Sequence, residues 1–170
     1  SVCVRIHPSR LGADCPGSEA EMIKIRDAAT RGHTKWSWLE SWHTFSFGRY
    51  IDRANTQFRS LRVINDDYVA GGGGFEPHPH EDMEIISYIV SGRLAHKDWM
   101  GDAGEHAHES GAGSVQVMSA GTGVKHSEFN PSKTEAMRLL QIWIFPDKKG
   151  HKPAYSQRDV PEVEKRDTLA

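Results

Sequence analysis

Long apolar runs, cysteine and net charge are all scarce in this sequence, and each scarcity removes a class of answer. No apolar stretch approaches the roughly 18 residues that cross a bilayer as a helix. The first residues also lack the continuous apolar centre of a signal peptide. Cysteine occurs only as Cys3 and Cys15, too few for a disulfide framework or a zinc finger, so a reducing, cytoplasmic setting is expected. The charges nearly cancel, 21 Lys and Arg against 23 Asp and Glu. No general electrostatic attraction to nucleic acid or to an anionic membrane follows from that balance. Helical periodicity is missing as well, and no internal repeat is present.

What is present is β texture. The 170 residues suffice for one ordinary domain with a tail. Residues 1–21 are rich in turn formers and read as an N-terminal extension or a cloning remnant. From Met22 onward short strands alternate with turn signals, the all-β pattern. Leu61-Arg62-Val63-Ile64 reads as a strand that ends at the turn formers Asn65-Asp66-Asp67. Glu84 to Val90 reads as a strand joined through Ser91-Gly92 to Arg93–Trp99, the signature of a hairpin. Ser114–Met118 alternates polar and apolar residues, and Arg138–Phe145 is the last strong strand, stopped by Pro146. Residues 147–170 are polar, with Pro153 and Pro161, and read as a linker. The resulting division is 1–21, 22–146 and 147–170.

Histidine supplies the chemistry, with ten in the chain. His78 and His80 are two apart, as are His126 and Glu128. Residues two apart on a strand point to one face. Each pair can therefore present two ligands to one side of a sheet, and together they would make a site of three imidazoles and one carboxylate. Such donors suit Fe(II), Cu(II), Ni(II), Mn(II) or Zn(II). Competing readings stand beside this one. By parity Glu84 shares the face of His78 and His80 and is a reserve ligand or a second-layer partner. Glu105-His106-Ala107-His108-Glu109 reads as a solvated polar loop. His43 reads as a hydrogen-bonded packing residue, His96 as a strand-surface or pocket-lining residue, and Lys125 as solvated.

The spacing around these residues is specific. Gly72, His78, His80, Glu84 and the downstream Gly92 approach the first motif of the cupin superfamily. Gly123, His126 and Asn130 give the core of the second. Narrower still, the chain resembles the N-terminal domain of the pirin family. The matching stretches include Trp38-Leu39-Glu40-Ser41-Trp42-His43-Thr44-Phe45-Ser46-Phe47 and His78-Pro79-His80-Glu81-Asp82-Met83-Glu84. They continue with Met118 through Pro131 and with Gln141-Ile142-Trp143-Ile144-Phe145-Pro146. The likeness runs from about Met22 to Arg158.

The resemblance implies an all-β cupin fold, a double-stranded β-helix or jelly-roll barrel, with metal ligands brought together at its mouth. It implies that His78, His80, His126 and Glu128 hold one metal, usually iron, and that Glu84 is not a ligand. It implies a quercetin 2,3-dioxygenase-type oxidoreductase acting on a flavonol and dioxygen, with ring opening and release of carbon monoxide. Glu128 would be the catalytic base that takes the flavonol 3-hydroxyl proton. The alternative it implies is a non-enzymatic, redox-responsive regulator that binds a transcription-related protein partner. Pirin-like chains carry a second cupin domain, so residues 147–170 are expected to lead toward one that this sequence lacks.

Overall fold

The structure, a computed structural model, describes residues 2–5, 23–100 and 104–165. Two compact units divide the chain, residues 1–31 and 32–170. In the first, β1 (Val2–Arg5) pairs antiparallel with β2 (Ile23–Arg26), Val2 opposite Arg26. A 3-10 turn, Ala28–Thr30, follows, started by the Asp27 carboxylate, which accepts from the Ala29 N–H at 2.8 Å. Residues 6–22, most of the expected extension, lie outside the described residues.

The second unit holds β3 (Gly32–Lys35), β4 (Leu39–His43), β5 (Leu61–Val69), β6 (Gly74–His80), β7 (Glu84–Ser91) and β8 (Arg93–Trp99). It continues with β9 (Glu105–Gly111), β10 (Ser114–Ser119), β11 (Val124–Phe129), β12 (Met137–Ile144) and β13 (Ala154–Asp159). Seven strands form one sheet in the order β13-β10-β7-β12-β5-β4-β3, and four form another in the order β6-β11-β8-β9. The described α-helix is a single turn, α1 (Glu162–Lys165). No helix among the described residues is long and apolar enough to cross a membrane. The architecture is the all-β cupin barrel.

Period-two burial stacks the interior in layers. One apolar layer joins Leu39, Val69, Ile89, Met137 and Leu139 of the large sheet to Leu94 of the small one. Another joins Ile85, Met118 and Ala120 to Val124. Between them the inward positions turn polar. His43, Asn65, Gln141, Ser87 and Gln116 face one another in register across β4, β5, β12, β7 and β10. All five are buried. A barrel that carries a polar belt between two apolar layers has that belt for something other than packing, because buried polar groups contribute little net stability. Leu94 is fully buried where the sheets meet, so Leu94→Ala should lower unfolding free energy by about 3 kcal/mol. Denaturant midpoints with an unchanged slope would measure this.

Four local expectations need correction. β5 runs through Asn65-Asp66-Asp67 to Val69 instead of turning there, because these polar residues are interior or cross-strand partners and not turn formers. β7 and β8 do not pair as a hairpin. At Ser91-Gly92 the chain leaves one sheet for the other, and Gly92 adopts φ +78°, with Met137 so close that a Cβ would meet it at 2.7 Å. The Glu105–Glu109 segment is not a loop but part of β9, paired with β8. The expected linker contributes β13, which pairs with β10 from Ser114–Asp159 to Ser119–Ala154.

Candidate metal centre

β6 and β11 are antiparallel neighbours, with His78 opposite His126 and His80 opposite Val124. Parity on β6 places His78 and His80 on one face, and the pairing brings His126 onto it. The ring centroids lie 4.4 Å apart for His78–His126 and 4.8 Å apart for His78–His80 and for His80–His126. One nitrogen from each of the three comes within 4.8 Å of the others, a spacing that a single ion can bridge. Nδ1 of His78 lies 2.8 Å from the Glu76 carbonyl. Donation of the Nδ1 proton to that oxygen leaves Nε2 as the free donor atom. His80 Nε2 and both nitrogens of His126 are buried without hydrogen-bond partners. Burial, helped by the neighbouring His78, pushes His80 down to about 4. Burial and then His78, His96 and His80 push His126 down to about 2. Both imidazoles are therefore neutral at pH 7, the form that binds metal.

Glu128 stands differently. A β-bulge separates it from His126 in the pairing with β6, and a close approach makes room for it. A Cβ on Gly74 would lie 2.5 Å from the Glu128 carbonyl oxygen. The Glu128 side chain reaches across the barrel to the large sheet. Gln141 Nε2 donates to both of its carboxylate oxygens, at 2.9 and 2.8 Å, and Ser87 Oγ donates to Oε1 at 3.2 Å. Burial pushes this carboxyl up to about 7, against the opposing effect of those two donors. The four expected ligands thus fall into two overlapping groups. His78, His80 and His126 form one, and Glu128 belongs to another with His126 and His96.

His96, read from the sequence as strand-surface or pocket-lining, is interior. It is buried directly opposite Glu128 on β8, its ring 5.0 Å from that of His126. Asp98, opposite His126, is fully buried, and both of its carboxylate oxygens lack partners. His96 Nε2 is 3.6 Å from Asp98 Oδ2, too far for a hydrogen bond. Burial pushes His96 down to about 4, with Gln116 acting in the opposite sense, so the contact is not an ion pair at neutral pH. The signal for both residues was in the sequence. Counting by twos from Leu94 reaches His96 and Asp98, and Leu94 belongs to the core.

The other candidates lie elsewhere. Glu84 begins β7 in the large sheet, where its carboxylate accepts from Ser119 Oγ at 2.8 Å. It joins neither group, because parity on a different strand of a different sheet does not carry over to β6. His43 is buried and hydrogen-bonded, to Thr34 Oγ1 and to Asn65 Oδ1, each at 2.9 Å. On β9, His108 stacks on Tyr155 at 4.3 Å, and His106 lies 6.5 Å away from it. Neither enters a ligand group among the described residues. Lys125 is exposed.

A cavity of about 300 Å³ opens onto the three histidines and Glu128. Phe47, Phe75, Ile85 and Trp143 give it apolar walls, and Asn65 and Gln141 of the polar belt line it together with Ser41 and Asp67. Neutral imidazoles and a buried carboxylate beside an apolar cavity are donors that fit a divalent transition metal.

Comparison with known proteins identifies the family. Residues 24–144 match the family model described as pirin. A protein of Escherichia coli K12 named quercetin 2,3-dioxygenase is 50% identical over 143 residues, which cover 84% of this chain and 60% of that protein. The crystal structure of the bacterial pirin YhhW of E. coli in complex with nickel(II) superposes with a TM-score of 0.77 at 49% identity, covering 82% of this chain and 59% of that one. GK1651 of Geobacillus kaustophilus gives 0.61 at 29% identity, covering 79% and 51%. The chain thus spans about three fifths of the length of the E. coli relatives it matches. On the extent of the family match and on the barrel that carries it, the chain belongs to the pirin family.

Proposed function

We propose that this chain is a flavonol 2,3-dioxygenase-type oxidoreductase. In this reading its metal, iron(II) in the cytoplasm, is held by His78, His80, His126 and Glu128. The observation that carries the reading is the cluster of neutral imidazoles on β6 and β11 at the base of a cavity with aromatic walls. The name of the E. coli relative supports the substrate class, and the nickel-bound neighbour supports a divalent ion.

When bound, the metal supplies Lewis acidity to a coordinated hydroxyl. Every other part of the proposed mechanism belongs to the chain. Phe47 and Trp143 meet edge to face, centroids 5.4 Å apart, and together give the cavity an aromatic wall against which a flat ring can pack. Glu128 takes the proton of the flavonol 3-hydroxyl. Its carboxyl sits at about 7, close to the optimum for a base that works at neutral pH. Gln141 and Ser87 hold the carboxylate in place and stabilise its charged form. Rotation away from Gln141 would bring it from the belt toward His78 and His80.

The reading is tested by loading the chain with iron(II) and following oxygen uptake and loss of flavonol absorbance with quercetin. Glu128→Gln should retain metal to within about tenfold while turnover falls by about 100-fold or more. Unchanged turnover would remove Glu128 as the base. No consumption of any flavonol by the metal-loaded wild type would overturn the oxidoreductase reading in favour of the regulator.

A further inference from the structure

We infer that Asp67 is a substrate-binding residue: its carboxyl takes a second hydroxyl of the polyhydroxylated aromatic molecule whose reacting hydroxyl meets the histidine cluster. The inference deepens the reading above and rests on it.

β5 carries two adjacent carboxyls with opposite fates. Asp66 is matched by Arg138, which donates from Nε and Nη2 to its two oxygens at 2.9 and 3.0 Å. Asp67 points to the other face, in the buried inward series Val63, Asn65, Asp67, Val69. It is 3% exposed, lines the cavity, and has one oxygen, Oδ1, with no hydrogen-bond partner. Ser41, opposite it in register on β4, is a donor that favours the charged form, but burial outweighs that donor and pushes the carboxyl up to about 6.

A half-satisfied carboxyl at an interior position costs stability, and an apolar residue would fit there, as Val63 and Val69 do on the same face. Asp67 also acts against Glu128, whose carboxyl its charge helps to raise. What relieves Asp67 is a hydrogen-bond donor arriving through the cavity. A neutral hydroxyl on an aromatic ring satisfies Oδ1, places the ring in a cavity that Phe47 and Trp143 also line, and leaves the reacting hydroxyl free for the histidines. The belt residues beside it are already engaged. Asn65 Oδ1 faces His43 Nδ1, and Gln141 holds Glu128. Asp67 is therefore a cavity-lining group left to read a second hydroxyl, and it makes the pocket selective for polyphenols over single-hydroxyl rings.

The test compares two flavonols, quercetin and 3-hydroxyflavone, which keeps only the reacting hydroxyl. Dissociation constants are measured without oxygen by quenching of tryptophan fluorescence, on the iron(II)-loaded chain and its variants. Wild type should prefer quercetin. Asp67→Ala should reduce that preference about tenfold by weakening quercetin alone, with 3-hydroxyflavone shifted less than twofold. Asp67→Asn, which keeps the shape, reads the same ratio in the same direction if the alanine variant does not fold. A ratio that changes less than threefold, or equal losses for both ligands, overturns the assignment and leaves the flavonol reading standing. Failure of wild type to bind either flavonol overturns both.

Discussion

His126→Ala is expected to lower the affinity for a divalent transition metal by about two orders of magnitude or more, the largest loss among the pocket histidines. Altering even an outer partner of a metal site costs about 10- to 100-fold, and His126 is more central than that. It belongs to both ligand groups, the one with His78 and His80 and the one with His96 and Glu128. Its removal leaves two imidazoles on β6 and an unconnected His–Glu pair on the other side. Removing His78 or His80 instead leaves His126 with its neighbours on either hand, so those losses should be smaller by about tenfold. The check is isothermal titration with nickel(II) of the three single alanine variants, with metal-free thermal unfolding as the folding control. His126 is 1% exposed and its nitrogens are unpartnered. The metal-free alanine variant therefore loses packing but strands no hydrogen-bond partner, and it should remain folded. Equal losses for all three variants would mean that binding is not centred on His126.

The sequence pointed to the ligand strands because their signal is local. His78-Pro79-His80 and His126-Ser127-Glu128 each carry their geometry in a two-residue spacing, which a strand converts into a shared face whatever else the fold does. The β-branched strands β7, β10 and β12 were equally plain. What escaped was set by distant partners. Asn65-Asp66-Asp67 has turn composition. It is a strand because Asp66 meets Arg138 72 positions away and because Asn65 and Asp67 face a cavity. His96 and Asp98 lie among charged residues that mask the period-two pattern begun by Leu94. β9 and β13 owe their existence to β8 and β10, whose edges they cover. Nor could spacing reveal that the Glu128 side chain is held from the opposite sheet by Ser87 and Gln141, 41 and 13 positions away. Parity places a side chain on a face. Only the closed barrel decides which partner it meets there, and at Glu128 that partner separates the fourth expected ligand from His78 and His80.

The buried titratable groups of the barrel predict how the metal-free chain responds to acid. His80 and His96 are pushed down to about 4 and His126 to about 2 from the ordinary 6.5. The unfolded chain therefore protonates these three first. The stability they contribute is whole above pH 6.5 and is lost as pH falls through the folded values. Glu128 and Asp67 act in the opposite sense. They are raised to about 7 and about 6 from 4.5 and 3.8, so the folded chain protonates them first. Their contribution is present below the ordinary carboxyl values and is lost as pH rises through 6 to 7. His43, lowered, and Asp98, raised, also oppose each other. Between pH 4.5 and 6 three imidazoles outweigh two carboxyls, a net uptake of one proton on unfolding. Stability should fall with acid by about 1 kcal/mol per pH unit, a figure that already allows for solvent screening at the partly open His80. Glu128→Gln removes one opposing carboxyl and should roughly double that slope, while Asp67→Asn should do the same independently. Urea unfolding of the metal-free proteins across this range reads the slopes directly. A wild-type slope near zero or of reversed sign, or a Glu128→Gln slope no steeper than wild type, would mean that these carboxyls do not hold their protons in the folded barrel. In that case Glu128 would be charged at neutral pH before any metal or substrate arrives.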